Sequence, residues 1–215
     1  LALAVSIVAA MDGAFQFTNT WFEPSAKTWT RLIDEIRPSR VLEIGSYEGR
    51  SACFLIQACT TYAPLSLTCV DTWQGGVEHD PEAMGAVEAR FDSNVRRACA
   101  EAHHDARVRK YKARSVDALT RLIAAGEAGT FDIVYIDGLH IAGDVLADAV
   151  LAFELTRVGG FIFFDDYLWH NEPAGAQDPL NMPKPAIDAF INLYQRRLGV
   201  VTDAPLRQLY VRKLA

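Results

Sequence analysis

A chain of 215 residues, half of them hydrophobic and 22% charged, is long enough for one large domain or two small ones and carries enough apolar material for a packed core. Its 21 Lys and Arg against 27 Asp and Glu give a net charge of −6, which argues against a sequence-independent nucleic-acid binder, since that needs a cationic face. No apolar run reaches the roughly 18 residues of a membrane-spanning helix, and the longest candidate, Leu1 to Ala10, lacks the basic front of a secretion signal.

Taken in chain order, residues 1–24 predict a helical or irregular cap, followed by one domain over 25–215. The aromatics of this start, Phe15, Phe17, Trp21, Phe22 and Trp29, are candidates for a homodimer contact or for a wall that excludes water. Arg40–Ile44 reads as a strand and Ser51–Thr60 as a helix, and Leu65–Val70 as the next strand. A helical stretch covers about Met84–His103, with Phe91, Val95 and Ala98 at helical spacing. Val108–Ala113 is a weaker strand, Val116–Ala125 a helix closed by Gly126, and Phe131–Ile136 a buried-type strand. Gly143–Thr156 is helical, Gly159-Gly160 turns the chain, and Phe161–Phe164 is a further strand.

His170–Pro185, with four prolines, predicts a long loop of the kind that is usually functional. A helix at Ala186–Arg197 precedes strands at Gly199–Thr202 and Gln208–Arg212, which are joined so tightly that they must pair antiparallel. The alternation as a whole predicts an α/β fold with a mostly parallel sheet covered by helices on both faces and an antiparallel strand near the C-terminus. Cys53, Cys59, Cys69 and Cys99 form no CxxC pair, so they read as free thiols of a reducing compartment, with zinc not expected. A globular cytoplasmic protein is the corresponding expectation. The chain opens on Leu1 rather than Met, which leaves an upstream start and a trimmed one both open.

Chemistry concentrates at strand ends. Glu43-Ile44-Gly45-Ser46-Tyr47-Glu48-Gly49-Arg50-Ser51 closes the first strand and opens a helix. Its glycines allow close backbone approach to a ligand, and the helix start offers N–H groups. The spacing is neither GxGxxG nor a phosphate loop. An acid two residues before Gly45 suits a cationic or amine-bearing ligand better than a pyrophosphate. Asp71 ends the second strand, where an acid accepts bonds from the ribose hydroxyls of an adenosine cofactor. Thr72 and Trp73 follow it, the latter as a candidate pocket wall, and Ser115 is placed to meet an adenine edge or to cap its helix.

These motifs, with FDIVYIDGLH at 131–140 and GGFIFFDD at 159–166, resemble the class I S-adenosylmethionine-dependent methyltransferases from about Ser25 to the C-terminus. The resemblance implies a doubly wound, seven-stranded, Rossmann-like methyltransferase fold. It also implies that Glu43 and the loop of Gly45, Ser46, Tyr47 and Gly49, with Ser51 behind it, face the methionine end of the cofactor, and that Asp71 holds the ribose.

Asp137 ends the fourth strand and Asp165 and Asp166 end the fifth. Neighbouring strand tips converge, so these three carboxylates suit Mg²⁺ or a similar divalent ion, with Asp137 also beside the cofactor. His140, three residues past Asp137, is a candidate general base for a substrate hydroxyl. D-x-x-H followed by D-D is similar to the metal-dependent sugar O-methyltransferases of the macrocin and mycinamicin group. The catechol type shares the acid layout, but it uses a Lys base that this sequence lacks near Asp137. The expectation is therefore O-methyl transfer to a small-molecule hydroxyl, sugar or phenol. The alternatives are a cofactor-binding sensor of the same fold and a nicotinamide-dependent oxidoreductase, the latter disfavoured by the glycine spacing. His103-His104 reads as a solvated helix end, Arg50 and Lys184 as surface residues, and His170 as a loop residue able to reach the site.

Overall fold

The computed structural model describes residues 2–11, 13–76 and 81–215; Leu1, Asp12 and residues 77–80 lie outside the described residues, so the expected cap over 1–24 is described in part. Seven strands form one sheet: β1 (Arg40–Ile44), β2 (Leu65–Asp71), β3 (Ala106–Lys112), β4 (Phe131–Ile136), β5 (Thr156–Phe164), β6 (Leu198–Val200) and β7 (Leu209–Lys213). The order is β3-β2-β1-β4-β5-β7-β6. The five strands from β3 to β5 are parallel, and β7 runs antiparallel to both β5 and β6. The doubly wound, mostly parallel fold expected from the sequence is therefore present. The chain reverses strand order on either side of β1 and β4, which is where such sheets open a crevice at the carboxyl ends of their strands.

Alternation along the strands builds two cores. Val41, Leu67, Ile133 and Phe163 face one apolar layer, while Leu42, Val70, Val134 and Phe164 face the other. Because both faces are covered, the strands read as continuous hydrophobic runs rather than as alternating ones. The first layer is covered by α1 (Ala2–Met11), α2 (Ala26–Ile36), α3 (Arg50–Cys59) and α5 (Val87–Ala100), with a short α4 (Pro81–Met84) before the last. The second is covered by α6 (Ser115–Ala124), α7 (Ala142–Leu155) and α8 (Pro183–Tyr194).

Helix α2 was not foreseen as a distinct element. Trp29, Leu32, Ile33 and Ile36 repeat at helical spacing and pack inward, and the helix ends on Arg37 in the left-handed region, whose N–H donates to Ile33 O at 2.7 Å. Phe22 and Trp29 are buried, and Phe15 stacks on Phe17 at 5.6 Å. The guanidinium groups of Arg97 and Arg50 lie over those two rings. Of the five N-terminal aromatics expected to form a contact surface, Trp21 is the one left largely exposed, at 56%.

Two boundaries differ from expectation for identifiable reasons. Gly159-Gly160 lies inside β5, where the register against β4 shifts, because a Cβ on Gly160 would stand 2.7 Å from Asp132 O. Helix α8 begins at Pro183 rather than Ala186, since proline at the first helical positions lacks only an N–H that the helix end leaves unpaired anyway. All four cysteines are free thiols. No helix among the described residues is long and apolar enough to cross a membrane.

Candidate active site

A cavity of about 530 Å³ opens at the carboxyl ends of the parallel strands. Its floor is the loop between β1 and α3. Gly45 holds φ +82°, and a Cβ there would stand 1.8 Å from the Asp137 carbonyl oxygen, so the β1 and β4 tips meet backbone to backbone. Asp71 ties this loop to β2: its Oδ2 accepts the N–H groups of Ser46 and Tyr47 at 2.8 Å each, and its Oδ1 accepts that of Trp73 at 2.6 Å. Thr72 and Ser115 complete the β2–β3 end of the cavity.

Five of the residues expected to bind a cofactor are not part of the cavity wall. Glu43 is fully buried, its two carboxylate oxygens accepting the hydroxyls of Ser46 at 2.6 Å and Ser51 at 2.5 Å. Burial pushes its carboxyl up to about 7, against the two serine hydrogen bonds that hold it down. It supports the loop from beneath, outside the cavity wall, and Ser46 and Ser51 are turned towards it. Gly49 caps α3 at φ +79°, and its missing Cβ makes room for Phe91, whose Cδ2 would be 2.9 Å away. Trp73 is in the core: its ring lies 4.9 Å from that of Phe91, and its Nε1 donates to Tyr47 O at 2.9 Å. Gly45, Tyr47, Asp71, Thr72, Ser115, Asp137, His140, Asp165 and Asp166 do line the cavity.

The N-terminal segment is fastened to the same loop. Glu48, buried behind it, accepts Thr18 N at 2.7 Å, Thr18 Oγ1 at 2.9 Å and Arg90 Nε at 2.6 Å. This anchors the chain that carries Trp21 to the cavity, where its ring lies 5.6 Å from that of Tyr47. Arg50 is buried rather than on the surface, paired with Glu23 and donating to Asn19 O at 3.1 Å. Lys184 is held by Tyr167 and Asp188, and His170 by Glu172 O; neither lines the cavity.

At the β4–β5 end, Asp137, His140 and Asp166 each bring one ligand-competent atom within 4.8 Å of the others. His140 Nε2 is 3.3 Å from Asp166 Oδ2, and the imidazole lies 4.4 Å from the Trp169 ring. Asp165 sits just behind, its Oδ1 accepting Asp166 N at 2.7 Å and its Oδ2 in contact with the Tyr135 hydroxyl, which also reaches Asp137 Oδ2 at 2.8 Å. Burial, with the charges of Asp165 and Asp166 added, pushes the Asp137 carboxyl well above the usual carboxylate range. Burial, then the Asp166 charge, raises Asp165 as well. Half-buried Asp137 and Asp166 with buried Asp165 behind them, held against their own repulsion, are a good fit for a divalent cation, which takes carboxylate oxygens as ligands.

Tyr135, Trp169 and Arg207, which no motif singles out, also belong to this end of the site. Tyr135 was hidden in a run typical of a buried strand, although a Y-x-D spacing at a strand end places both side chains on one face. Arg207 enters from the segment before β7, with its guanidinium 3.9 Å from Asp166 Oδ1.

Residues 42–167 match a family model described as a methyltransferase domain. Among solved structures, the chain resembles the MycE methyltransferase of the mycinamycin biosynthetic pathway, solved with Mg and S-adenosylhomocysteine, at 20% identity and a TM-score of 0.62, over 99% of this chain and 55% of that one. The present chain therefore spans little more than half of MycE. An O-methyltransferase from Bacillus cereus in complex with S-adenosylhomocysteine aligns at 19% identity and a TM-score of 0.59, over 99% of this chain and 89% of that one. TomG, an O-methyltransferase of Streptomyces achromogenes involved in tomaymycin synthesis, aligns at 15% identity and a TM-score of 0.58, over 100% and 98%. No curated protein sequence matches the chain. With the family model covering more than half of its length and its strand tips enclosing this cavity, the chain belongs to the methyltransferase domain family.

Proposed function

We propose that the protein is an S-adenosylmethionine-dependent O-methyltransferase acting on a small-molecule hydroxyl, with a divalent cation at the β4 and β5 tips and His140 as general base. The observation that carries this reading is the convergence of Asp137, His140 and Asp166 within one cavity that also contains the Asp71 end of the β1 loop. In this reading residues 25–215 are the cofactor-binding unit and residues 1–24 its cap. MycE has been solved with Mg, S-adenosylhomocysteine and mycinamycin VI, which supports a small-molecule acceptor and a metal for this chain too.

S-adenosylmethionine supplies the electrophilic methyl carbon. Asp71 accepts a ribose hydroxyl, having one of a carboxylate's roughly four lone-pair sites left beyond its three backbone donors, and Ser115 meets the adenine edge. Asp137 and Asp166, with Asp165 behind them, would hold a divalent cation such as Mg²⁺, which when bound would lower the acceptor hydroxyl's pKa and fix its orientation. His140 takes the hydroxyl proton on Nε2, and the Asp166 carboxylate 3.3 Å away stabilises the resulting imidazolium. The three side chains that converge within 4.8 Å are Asp137, His140 and Asp166, with Asp165 behind them rather than among them; because a metal-bound imidazole nitrogen has no lone pair for that proton, His140 is given the proton and Asp165 is proposed to complete the cation's ligands. Trp21 and Trp169 shield the cavity from water, which strengthens the electrostatics inside it.

The test is incubation with S-adenosylmethionine and a panel of sugar and phenol acceptors, following S-adenosylhomocysteine release with EDTA and with Mg²⁺ restored. Turnover that EDTA abolishes and Mg²⁺ returns is expected. Turnover indifferent to chelation removes the cation, and cofactor binding without turnover on any acceptor removes the transfer.

A further inference from the structure

We propose that Tyr135 is a positioning residue of this site, its buried hydroxyl clamping the carboxylates of Asp137 and Asp165 side by side as a ready pair of cation ligands. The inference rests on the metal reading above. It starts from register: Tyr135 on β4 pairs with Phe163 on β5, and two residues further along each strand stand Asp137 and Asp165. A repeat of two puts Tyr135 and both acids on one face of the sheet. The single proton of the Tyr135 hydroxyl is shared between Asp137 Oδ2, at 2.8 Å, and Asp165 Oδ2.

Nothing in this arrangement leaves the hydroxyl room to swing away. The Tyr135 ring is 1% exposed and stands edge-on to the Trp29 indole, with centroids 4.6 Å apart. Trp29 is itself fixed, its Nε1 donating to Gln208 Oε1 at 2.7 Å. The second oxygen of Asp165 accepts Asp166 N at 2.7 Å, so the carboxylate is held at both oxygens while each keeps a lone pair for a cation. Two like charges at adjacent strand tips would rotate apart if their side chains were at liberty to do so. The bridge holds them together at the one place where a cation gains from both. A phenylalanine fills the same volume in the core but supplies no bridge. A buried tyrosine whose hydroxyl had merely found partners would affect stability alone. A clamp affects cation affinity, and groups that orient metal ligands from behind typically contribute about 10- to 100-fold.

The experiment compares the whole chain with Tyr135→Phe, both saturated with S-adenosylhomocysteine, by Mn²⁺ titration in calorimetry and electron paramagnetic resonance. The expected result is Mn²⁺ binding weakened about 10- to 100-fold, with S-adenosylhomocysteine affinity unchanged. In turnover, the apparent KM for Mg²⁺ rises while kcat at saturating Mg²⁺ is retained. Unchanged S-adenosylhomocysteine affinity reports an intact fold, and the Mn²⁺ titration is repeated at lower temperature if the phenylalanine variant is less stable. Equal Mn²⁺ affinity in wild type and variant overturns the clamp and leaves the metal site standing. A wild-type protein that binds no Mn²⁺ overturns both.

Discussion

Gly45 and Asp137 touch backbone to backbone: a Cβ on the glycine would stand 1.8 Å from the carbonyl oxygen of the aspartate. The contact joins the two strand tips on which the site is built, and it requires a residue with no side chain at φ +82°. Gly45→Ala therefore has to part β1 from β4. A loss of about 1–3 kcal/mol from overpacking is expected, together with loss of S-adenosylhomocysteine binding, measured by urea denaturation and thermal-shift titration. An alanine variant with wild-type stability and binding would contradict the close approach.

His140 lines the cavity but is remote from the Asp71 end, because β4 and β2 flank β1 on opposite sides. His140→Ala is expected to leave S-adenosylhomocysteine affinity intact and to lower kcat by about 100- to 10,000-fold, the usual contribution of a general base. Mn²⁺ binding should survive as well, since the proton and the cation are assigned to different groups. Loss of Mn²⁺ binding instead would make His140 a ligand.

Asp148 on α7 gives the protein a pH dependence of definite sign. Burial pushes its carboxyl up to about 7 from the ordinary 3.8, with a Ser115 hydrogen bond opposing. The folded state then binds more protons than the unfolded state between about pH 4 and 7, so this group's contribution to stability is fullest below that window and is lost as pH rises through about 7. Glu43, also raised to about 7, acts in the same direction. Asp148→Asn removes the charge at nearly constant size. It is expected to raise Tm at pH 8, to raise it less at pH 5, and so to flatten the dependence between them. Parallel Tm profiles for the variant and wild type would show that Asp148 ionises as easily when folded as when unfolded.

Most of the sheet was legible because its strands are buried on both faces: Arg40–Ile44 and Phe131–Ile136 appear in the structure with the bounds read from the sequence. Helix α2 escaped because its apolar stripe merges with the aromatic-rich start, and its role is set by packing against distant elements such as Gln208. The convergence of Asp137, His140 and Asp166 was legible because strand tips in a parallel sheet converge whatever the loops do, while Asp165, expected beside them, lies behind. Which side of a loop a residue faces was not legible. Glu43 and Trp73 carry the right chemistry to line a nucleoside pocket, yet the first is occupied by two serines and the second by Phe91. Trp169 and Arg207 come from segments whose path depends on tertiary contacts, Tyr167 N donating to Arg207 O at 3.0 Å being one of them.

The central claim is that the cavity at the strand tips holds an adenosine-bearing methyl donor, and calorimetric titration with S-adenosylhomocysteine tests it most directly. The account predicts binding of one molecule per chain, weakened by about 10- to 100-fold in Asp71→Ala, which removes a charged acceptor worth roughly 1.5–3 kcal/mol. Absence of binding heat from the wild-type protein, or equal affinity in the Asp71 variant, would contradict it.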